Sequence, residues 1–360
     1  MFKILDRYIL GKFLGTFFYS LSLIISIAVI FDYSEKIDDF IEHSAPWNKI
    51  IFEYYLNFIP YYANLFSFLF IFIAVIFFTS KMATRSEIVS ILASGISFRR
   101  MLLPYFVGAS VLALLSFGLS AYIIPRATKV RFDFEEVYYR NATANFDTKD
   151  FHRQTRPGEF IYLESYNTSV DIGYKFSIEN FENGALKRKL LSDHIRWDSD
   201  SLRWMVYDYY IRVGDSTGRQ NLYYGYQMDT VMNFLPSEFK RRQAFVETMN
   251  IHELDDYLDE SILAGTPTEA ILVEKYKRFA SPFSAFILTL IGVTVASRKS
   301  RRGTGVHIGI GLALSFGYIV FQQISAQFGI KGGLSPFIAV WIPNATFTVI
   351  AIYLYRKAPK

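Results

Sequence analysis

Six long stretches without a single Asp, Glu, Lys or Arg constrain the fold of this chain more than any other feature. A bilayer core about 30 Å thick is crossed by about 20 apolar residues of α-helix. Because backbone amides in hydrocarbon must be paired within the segment, each stretch predicts a transmembrane helix. All six contain 19 residues or more: Phe13–Phe31, Tyr54–Ser80, Met101–Pro125, Phe279–Ser297, Gly303–Ile330 and Gly332–Tyr355.

The predicted spans form two groups of three with a polar block between them. Three spans precede Arg126 and three follow Arg278. Hydrophobic residues make up 51% of the chain and charged residues 20%, a combination that requires a water-exposed region for the charges. We therefore expect an α-helical membrane protein with six transmembrane helices, in which residues 1–125 and 279–360 carry the spans and residues 126–278 lie outside the membrane.

The middle of the polar block has the pattern of β-strands. Between residues 145 and 249, short alternating segments rich in aromatic and β-branched residues replace the long apolar runs. Turn sequences such as Pro157-Gly158 and Asn183-Gly184 separate them, and this spacing is typical of an antiparallel sandwich or jelly roll. We predict an inserted all-β, jellyroll-like domain at about 145–249, followed by a helical connector at about 250–278.

The distribution of Lys and Arg predicts the orientation. Fourteen of these residues lie in the termini and loops on one side of the predicted membrane, against three in the short loops on the other side. Cytoplasmic loops carry such an excess, so we expect both termini in the cytoplasm and the β domain on the opposite side. The same anchors account for the pI near 9.0, which therefore does not indicate nucleic acid binding. Since the chain has no cysteine, the exported domain must be held by its own core.

The loop between spans two and three, at about 84–99, predicts a short amphipathic helix. Ile88, Leu92 and Ile96 follow one another at intervals of four residues and form an apolar stripe. Glu87 falls in the first turn, where the helix dipole favours a carboxylate. Such a helix suits the lipid surface or a groove on a cytoplasmic partner, and the stripe alone does not separate these two interpretations.

The same loop resembles a known family. Its sequence from Ser86 to Ser97 is similar to the coupling-helix signature of the LptF/LptG (YjgP/YjgQ) lipopolysaccharide-export permeases, and the resemblance extends over the whole chain. Its start looks more like the G than the F paralogue, but Asp32 stands where G-type chains have a basic residue. The other matching segments are Leu5–Ile9, the Pro60 region, Pro282 and Trp341–Asn344.

The resemblance implies a permease subunit of an ATP-driven complex in the bacterial inner membrane. In the family, an F-type and a G-type subunit pair, and two copies of an LptB-type ATPase dock on their coupling helices. Lipopolysaccharide enters the cavity between the two subunits from the outer leaflet, and spans one and five are the lateral gates. It then passes to the periplasmic jellyroll, an LptC-type bitopic protein and a periplasmic bridge towards the outer membrane. The ATPase contacts carried over to this chain are Arg85, Ser86, Glu87, Ser94 and Gly95.

The sequence assigns no catalytic residue, cofactor or metal to this chain. It contains no Gly-x-x-x-x-Gly-Lys-Ser/Thr loop, so we expect ATP and Mg²⁺ to bind to the partner ATPase. His152, His194 and His252 are scattered without the spacing of metal ligands.

Two further sets of residues are candidates for contact with the lipid. Basic residues flanking the predicted outer membrane surface suit the phosphates of lipid A, although interfacial anchoring is the preferred explanation for any single one of them. These are Arg126, Lys129, Arg131, Lys275, Lys277 and Arg278. Strand residues would line a conduit for acyl chains if they face inward, although core packing is the commoner role of such aromatics. These are Phe160, Tyr162, Phe176, Ile178, Trp204 and Val206.

Two other functions compete with the permease. An ion-coupled secondary transporter needs ionisable residues or broken helices at the middle of the membrane. The six stretches contain almost none, which argues against it. A membrane-anchored scaffold that only displays the β domain remains an alternative, because six spans do not exclude that role. Association with an ATPase through the loop helix distinguishes the permease from the scaffold.

Overall fold

The computed structural model describes residues 3–138, 148–167, 170–182, 184–199, 201–214, 220–230, 232, 243–263, 265–297 and 304–358. The chain forms two compact units. One is helical and comprises Met1–Tyr139, Thr248–Ile251 and Glu269–Lys360. The other comprises Arg140–Glu247 and His252–Thr268 and contains the β-sheet.

The first half of the helical unit contains three long apolar helical segments. They correspond to the first three predicted spans, and each begins or ends beyond the uncharged core. Two of them contain a single π-helical turn, at Ile50–Tyr55 and at Leu119–Ile123. The α-helices are α1 (Ile4–Glu42), α2 (Trp47–Lys49), α3 (Leu56–Thr84), α4 (Glu87–Ala93), α5 (Phe98–Gly118) and α6 (Ile124–Tyr138).

The second half adds the other three apolar segments. One runs from Glu269 to Ala296 and is interrupted only by a 3₁₀ turn at Ser281–Phe283, where Pro282 cannot donate a helical hydrogen bond. Six candidate spans thus occur among the described residues, and the predicted three-plus-three arrangement is confirmed. The helices are α7 (Ile251–Leu263), α8 (Glu269–Ala280), α9 (Ser284–Ala296), α10 (Thr304–Ile330) and α11 (Pro336–Arg356).

Several hydrophobic clusters hold the described spans together, and α3 contributes to the two largest. On one side, Phe13 and Phe17 of α1 pack with Ile71 of α3 and Tyr105 of α5. On the other side, aromatic residues of α3, α10 and α11 meet. A Cβ atom on Gly311 of α10 would collide with side chains of α3, so this glycine permits close helix packing. The central position of α3 explains why it is the more buried of the long spans in this half.

Among the residues that the structure describes, the β unit contains one six-stranded antiparallel sheet whose strands are adjacent in chain order. The predicted inserted all-β domain is therefore confirmed, with up-and-down connections among the described strands instead of the Greek-key crossovers of a two-sheet jelly roll. A 3₁₀ turn at Gln243–Thr248 follows the sheet. The strands are β1 (Thr148–Arg156), β2 (Glu159–Asn167), β3 (Ile172–Glu182), β4 (Ala185–Asp198), β5 (Arg203–Gly214) and β6 (Gln220–Thr230).

A single row of exposed residues interrupts the alternation of the sheet, and we call it the crease. In β2, Ile161 and Leu163 are buried before Glu164, but Tyr166 is the next buried residue after it. The neighbouring strands change phase at the same level, and two crease residues have positive φ angles, Lys175 at 53° and Asp208 at 47°. The crease consists of Glu164, Lys175, Asp193, Asp208 and Tyr226.

Both sides of the crease supply residues to one hydrophobic core. Phe176 and Leu190 lie on one side of the crease, whereas Ile195 and Trp204 lie on the other side. All four belong to the same buried cluster. Strands that alternate strictly would place one of these groups on the solvent face. The crease therefore lets a single sheet bury residues of both phases, and the core it forms needs no disulfide.

Candidate functional site

The helix predicted between spans two and three is present as α4, and its apolar stripe faces the protein itself. Ile88 is only 2% exposed, and Ile91 and Leu92 pack against the cluster formed by α1, α3 and α5. Ser86 precedes the helix with φ at 59° and makes no capping hydrogen bond through its side chain. The stripe is therefore used in internal packing, and it does not need a lipid surface to cover it.

The opposite face of α4 is exposed and consists of small residues. Val89 is 58% exposed, and Ser90 and Ala93 lie beside it in solvent. Gly95 ends the helix with φ at 84°, a conformation that favours glycine. The structure brings the predicted contact residues onto this one loop, with Ser86 and Glu87 half-buried and the others exposed: Arg85, Ser94 and Gly95. Small side chains on a braced helix permit close approach of another protein surface.

Glu87 has an internal partner that the sequence did not predict. Its Oε2 atom accepts a hydrogen bond of 3.2 Å from the hydroxyl of Tyr8, near the start of α1. The ring of Tyr8 also packs edge-on against Phe78 of α3, with ring centroids 6.1 Å apart. Tyr8 lies 79 residues before Glu87, so no local pattern indicates this contact. Glu87 therefore sits between α1 and the surface of the loop.

A second contact ties α1 to the far end of the same loop. Asp6 accepts hydrogen bonds of 2.7 and 2.6 Å from both terminal nitrogens of Arg100, in the first turn of α5. The Asp6 side chain is 2% exposed, and its Oδ2 atom also accepts the backbone N–H of Lys3 at 2.8 Å. The only sequence signal was that Asp6 and Tyr8 belong to the Leu5–Ile9 segment that resembles the family.

The other end of α1 contains the position where a basic residue was expected. Asp32 pairs with Lys36, one turn later, at 2.7 Å, and the hydroxyl of Tyr55 donates to Asp32 at 3.3 Å. The Lys36 ammonium also donates to the hydroxyl of Tyr54 and lies 5.0 Å from the centre of that ring. A cation is thus present within one turn of the expected position, but its charge is balanced by Asp32.

The three candidate phosphate ligands on α6 are not equivalent. Arg126 and Lys129 are exposed. Arg131 is buried, its Nε atom lies 3.3 Å from Glu135, and its guanidinium lies 5.4 Å from the centre of the Tyr61 ring. A buried cation that is paired with a carboxylate already has its charge compensated. Arg126 and Lys129 are therefore the better placed for a lipid headgroup.

The three candidates on α8 divide in a similar way. Arg278 is 3% exposed, with its Nε atom 3.1 Å from Glu274 and its Nη1 atom donating to the carbonyl of Met249 at 2.6 Å. Lys277 lies 3.8 Å from the same Glu274 carboxylate and is partly exposed, as is Lys275. Arg278 thus joins α8 to the segment before α7, a structural role that does not require lipid.

The six conduit candidates lie on two faces of the sheet. Trp204 and Val206 are fully buried, and Phe176 and Ile178 belong to the same core cluster. Phe160 is 41% exposed, and it alternates along β2 with the buried Ile161. Tyr162 shares the face of Phe160, and its ring lies 4.5 Å from that of His152. The first four residues lie on the face of the sheet that forms the core, and Phe160 and Tyr162 lie on the opposite face.

The segments around Pro282 and Trp341–Asn344 meet at one residue. Asn344 of α11 accepts a hydrogen bond of 2.7 Å from the hydroxyl of Tyr318 on α10. Its amide donates at 2.8 Å to the carbonyl of Ala280, just before the turn at Pro282. Because Asn344 satisfies polar groups on two other elements within an apolar bundle, it fixes the position of the fifth span relative to the fourth and sixth.

Together, these features define a class: a multi-pass membrane protein of three plus three spans, with a braced loop helix between spans two and three and an all-β insertion between spans three and four. The family model described as "Lipopolysaccharide export system permease LptF/LptG" matches residues 7–357. The chain belongs to this family. It is 20% identical to the lipopolysaccharide export system permease protein LptG of Escherichia coli strain K12 and to the LptG of strain O6:H1, over 281 residues and 77% of each chain.

Proposed function

We propose that this protein is a permease subunit of an ATP-driven complex that extracts lipopolysaccharide from the bacterial inner membrane and passes it to a periplasmic bridge towards the outer membrane. One observation carries the proposal. The α4 helix buries its apolar stripe in the protein's own core and leaves a face of small residues exposed. A helix braced in this way is suited to receive force from a partner, because it does not depend on lipid for its position.

The partners in this proposal are those of the family. An LptB-type ATPase dimer binds the loop formed by Arg85, Ser86, Glu87, Ser94 and Gly95. The paralogous LptF or LptG subunit covers the exposed apolar faces of α1 and α10, which include Tyr19 and Phe316. The β unit continues into an LptC-type bitopic protein and the periplasmic bridge. The excess of Lys and Arg on the α4 side supports a cytoplasmic position for this loop and for both termini.

The proposed lipid path uses two regions of the chain. The exposed Arg126 and Lys129 meet the phosphates of the lipid at the outer leaflet, where a charge-assisted hydrogen bond is strong. The interior of the β unit receives the acyl chains beside Phe176, Trp204 and Val206. ATP and Mg²⁺ bind to the partner ATPase, and this chain supplies no catalytic group.

The test of this function uses Glu87. We expect Glu87→Ala to lower the amount of ATPase that co-purifies with the chain by about tenfold, because one partner of an interfacial charge pair is lost. Glu87→Lys should lower it further, since it adds repulsion to the loss of the pair. The amount of chain in the membrane fraction should not change in either variant.

Tyr8→Phe is the matched control for the internal contact. This variant keeps the Glu87 carboxylate but removes the hydroxyl that donates to it. If Glu87 binds the ATPase directly, Tyr8→Phe should retain most of the ATPase that Glu87→Ala loses. Equal loss in both variants would assign Glu87 a purely internal role, and undiminished capture with Glu87→Ala and Glu87→Lys would favour the membrane-anchored scaffold.

A further inference from the structure

The start of α1 contacts both ends of the coupling loop. Tyr8 donates to Glu87, the first residue of α4, at 3.2 Å. Two residues earlier, Asp6 binds Arg100, which lies just beyond the loop in the first turn of α5. The first turns of α1 therefore contact the chain both where it enters α4, at Glu87, and where it leaves the loop, at Arg100.

The Asp6–Arg100 contact has the geometry of a rigid connection. The two terminal nitrogens of the guanidinium each donate to a different oxygen of the carboxylate, at 2.7 and 2.6 Å. Such a forked pair fixes orientation as well as distance. Because the Asp6 side chain is 2% exposed, separation of the pair would leave a buried carboxylate without its cation.

Both partners are anchored within their own helices. The Asp6 carboxylate accepts the backbone N–H of Lys3 at 2.8 Å and closes the first turn of α1. The backbone N–H of Arg100 donates to the hydroxyl of Ser97, the N-cap of α5, at 3.3 Å. A displacement of the loop exit therefore acts on the backbone of α1, and not only on a flexible side chain.

We infer that Asp6 and Arg100 are positioning residues that transmit the movement of the coupling loop to α1, with the Tyr8–Glu87 hydrogen bond as the second contact of this linkage. The inference rests on the proposed function, in which a partner ATPase moves α4. It assigns to the linkage the step between ATP hydrolysis and movement of the first span. In this arrangement Glu87 contacts both the partner ATPase and Tyr8 of α1, so the residue that receives force from the ATPase passes it directly to α1.

The chain contains no cysteine, so two reporter sites can be introduced without altering a native thiol. Lys12 on α1 and Arg99 at the start of α5 are both exposed and lie outside the predicted ATPase contacts. Lys12→Cys and Arg99→Cys, labelled with nitroxide spin labels, report the distance between α1 and the loop exit by pulsed electron paramagnetic resonance. The measurement is made on the full chain, with and without the ATPase and a trapping nucleotide analogue.

We expect a narrow distance distribution in the wild-type background, unchanged by nucleotide trapping, because α1 and the loop exit move together. In Asp6→Asn the distribution should broaden, and lipopolysaccharide released per ATP hydrolysed in proteoliposomes should fall about fivefold or more. ATPase capture and basal hydrolysis should stay near wild-type levels. Arg100→Lys, which keeps the charge but loses the fork, should give an intermediate result.

Asp229→Asn is the matched control, because Asp229 forms an exposed ion pair with Arg203 at 2.5 Å in the β unit. Asp229→Asn should change neither the distance distribution nor the amount of lipopolysaccharide released per ATP hydrolysed. The linkage is wrong if Asp6→Asn leaves the distance distribution unchanged, or if release and hydrolysis fall in proportion. The proposed function is judged separately by ATPase capture in the wild type, whereas the distance comparison in the chain alone does not require the ATPase.

Discussion

The two ends of α1 each contain an ion pair formed by an aspartate, and the pairs differ in what they connect. At one end, Asp6 binds Arg100, 94 residues away on another helix, through two hydrogen bonds. At the other end, Asp32 binds Lys36 on the next turn of the same helix at 2.7 Å. The first pair joins α1 to the start of α5, just beyond the loop that carries α4, whereas the second balances charge within α1 itself.

The difference shows that the sequence distance between partners decides what an ion pair can do. The Asp32–Lys36 pair moves with its own helix and cannot by itself oppose the separation of two helices, although its side chains are only 13–14% exposed. A buried forked pair between two helices opposes their separation, because either partner alone would be left uncompensated. The Asp32 end still has tertiary contacts with Tyr54 and Tyr55, but the cation and the carboxylate of this pair both belong to α1.

The largest expected effect is on stability at the Asp6 end. Asp6→Ala removes the fork and the cap of α1, and we expect it to destabilise the folded protein by about 3 kcal/mol, a value reduced from the usual cost of breaking a buried pair because Arg100 is 36% exposed. Asp32→Ala should cost less, about 2 kcal/mol, because the lost pair is only 13–14% exposed but Lys36 keeps the hydroxyl of Tyr54 as a hydrogen-bond partner. Thermal unfolding of the purified chain in detergent measures both.

The comparison has a clear opposing outcome. Equal destabilisation by Asp6→Ala and Asp32→Ala would mean that the hydrogen bonds from Lys36 to Tyr54 and from Tyr55 to Asp32 hold this end of α1 as firmly as the fork holds the Arg100 end. Tyr55→Phe, which removes only the hydroxyl bonded to Asp32, would then identify the source of that stability.

Much of the helical unit could be predicted from the sequence, because hydrocarbon leaves a long uncharged segment no alternative to a helix. The loop helix was also predicted, but the structure places α4 at Glu87–Ala93, shorter than the predicted 84–99. The partners Tyr8 and Arg100 could not be predicted. Their contacts join residues 79 and 94 positions apart, and no periodic pattern encodes a contact at that distance.

The β unit shows where alternation misleads. Period-two patterning predicted strands, but it assumes that one phase is buried along the whole strand. At the crease the buried phase changes, so Ile161 and Tyr166 face the same core although they are an odd number of residues apart. This explains why Phe160 and Trp204, both chosen as candidates for an inner lining, lie on opposite sides of the sheet.

A smaller effect is expected at the proposed contacts with lipid phosphates. If Lys36 is compensated by Asp32, the exposed pair on α6 should supply the phosphate contacts. Replacing Arg126 and Lys129 with Gln should lower lipopolysaccharide-stimulated ATP hydrolysis about fivefold at limiting lipid, which corresponds to about 1 kcal/mol for the two charges together, and should spare basal hydrolysis. The double variant Lys12→Gln, Lys81→Gln, also of exposed residues, is the control at the α4 end.

Proportional loss of stimulated and basal hydrolysis in the α6 variant would assign Arg126 and Lys129 a structural role. Full stimulation would place the phosphate contacts on the partner subunit, or at Lys36. Lys36→Gln distinguishes these two outcomes, because it removes the cation at the Asp32 end of α1 and leaves α6 unchanged.

The smallest effect is expected for the exposed pair at the crease, where Lys175 lies 2.9 Å from Asp193 and both side chains are more than 60% exposed. The hydrogen bond and charge of Lys175 lower the pKa of Asp193 below its ordinary value. A lowered pKa contributes stability above the unfolded value, near 3.9, and that contribution is lost as the pH falls through the folded value. Asp193→Asn should therefore differ from wild type only slightly at pH 7, and less still at about pH 3 or in high salt. Thermal unfolding of the full chain under these conditions checks it. A loss of stability as large as that of Asp32→Ala would mean that the Lys175–Asp193 pair stabilises the backbone of the crease even though it is exposed.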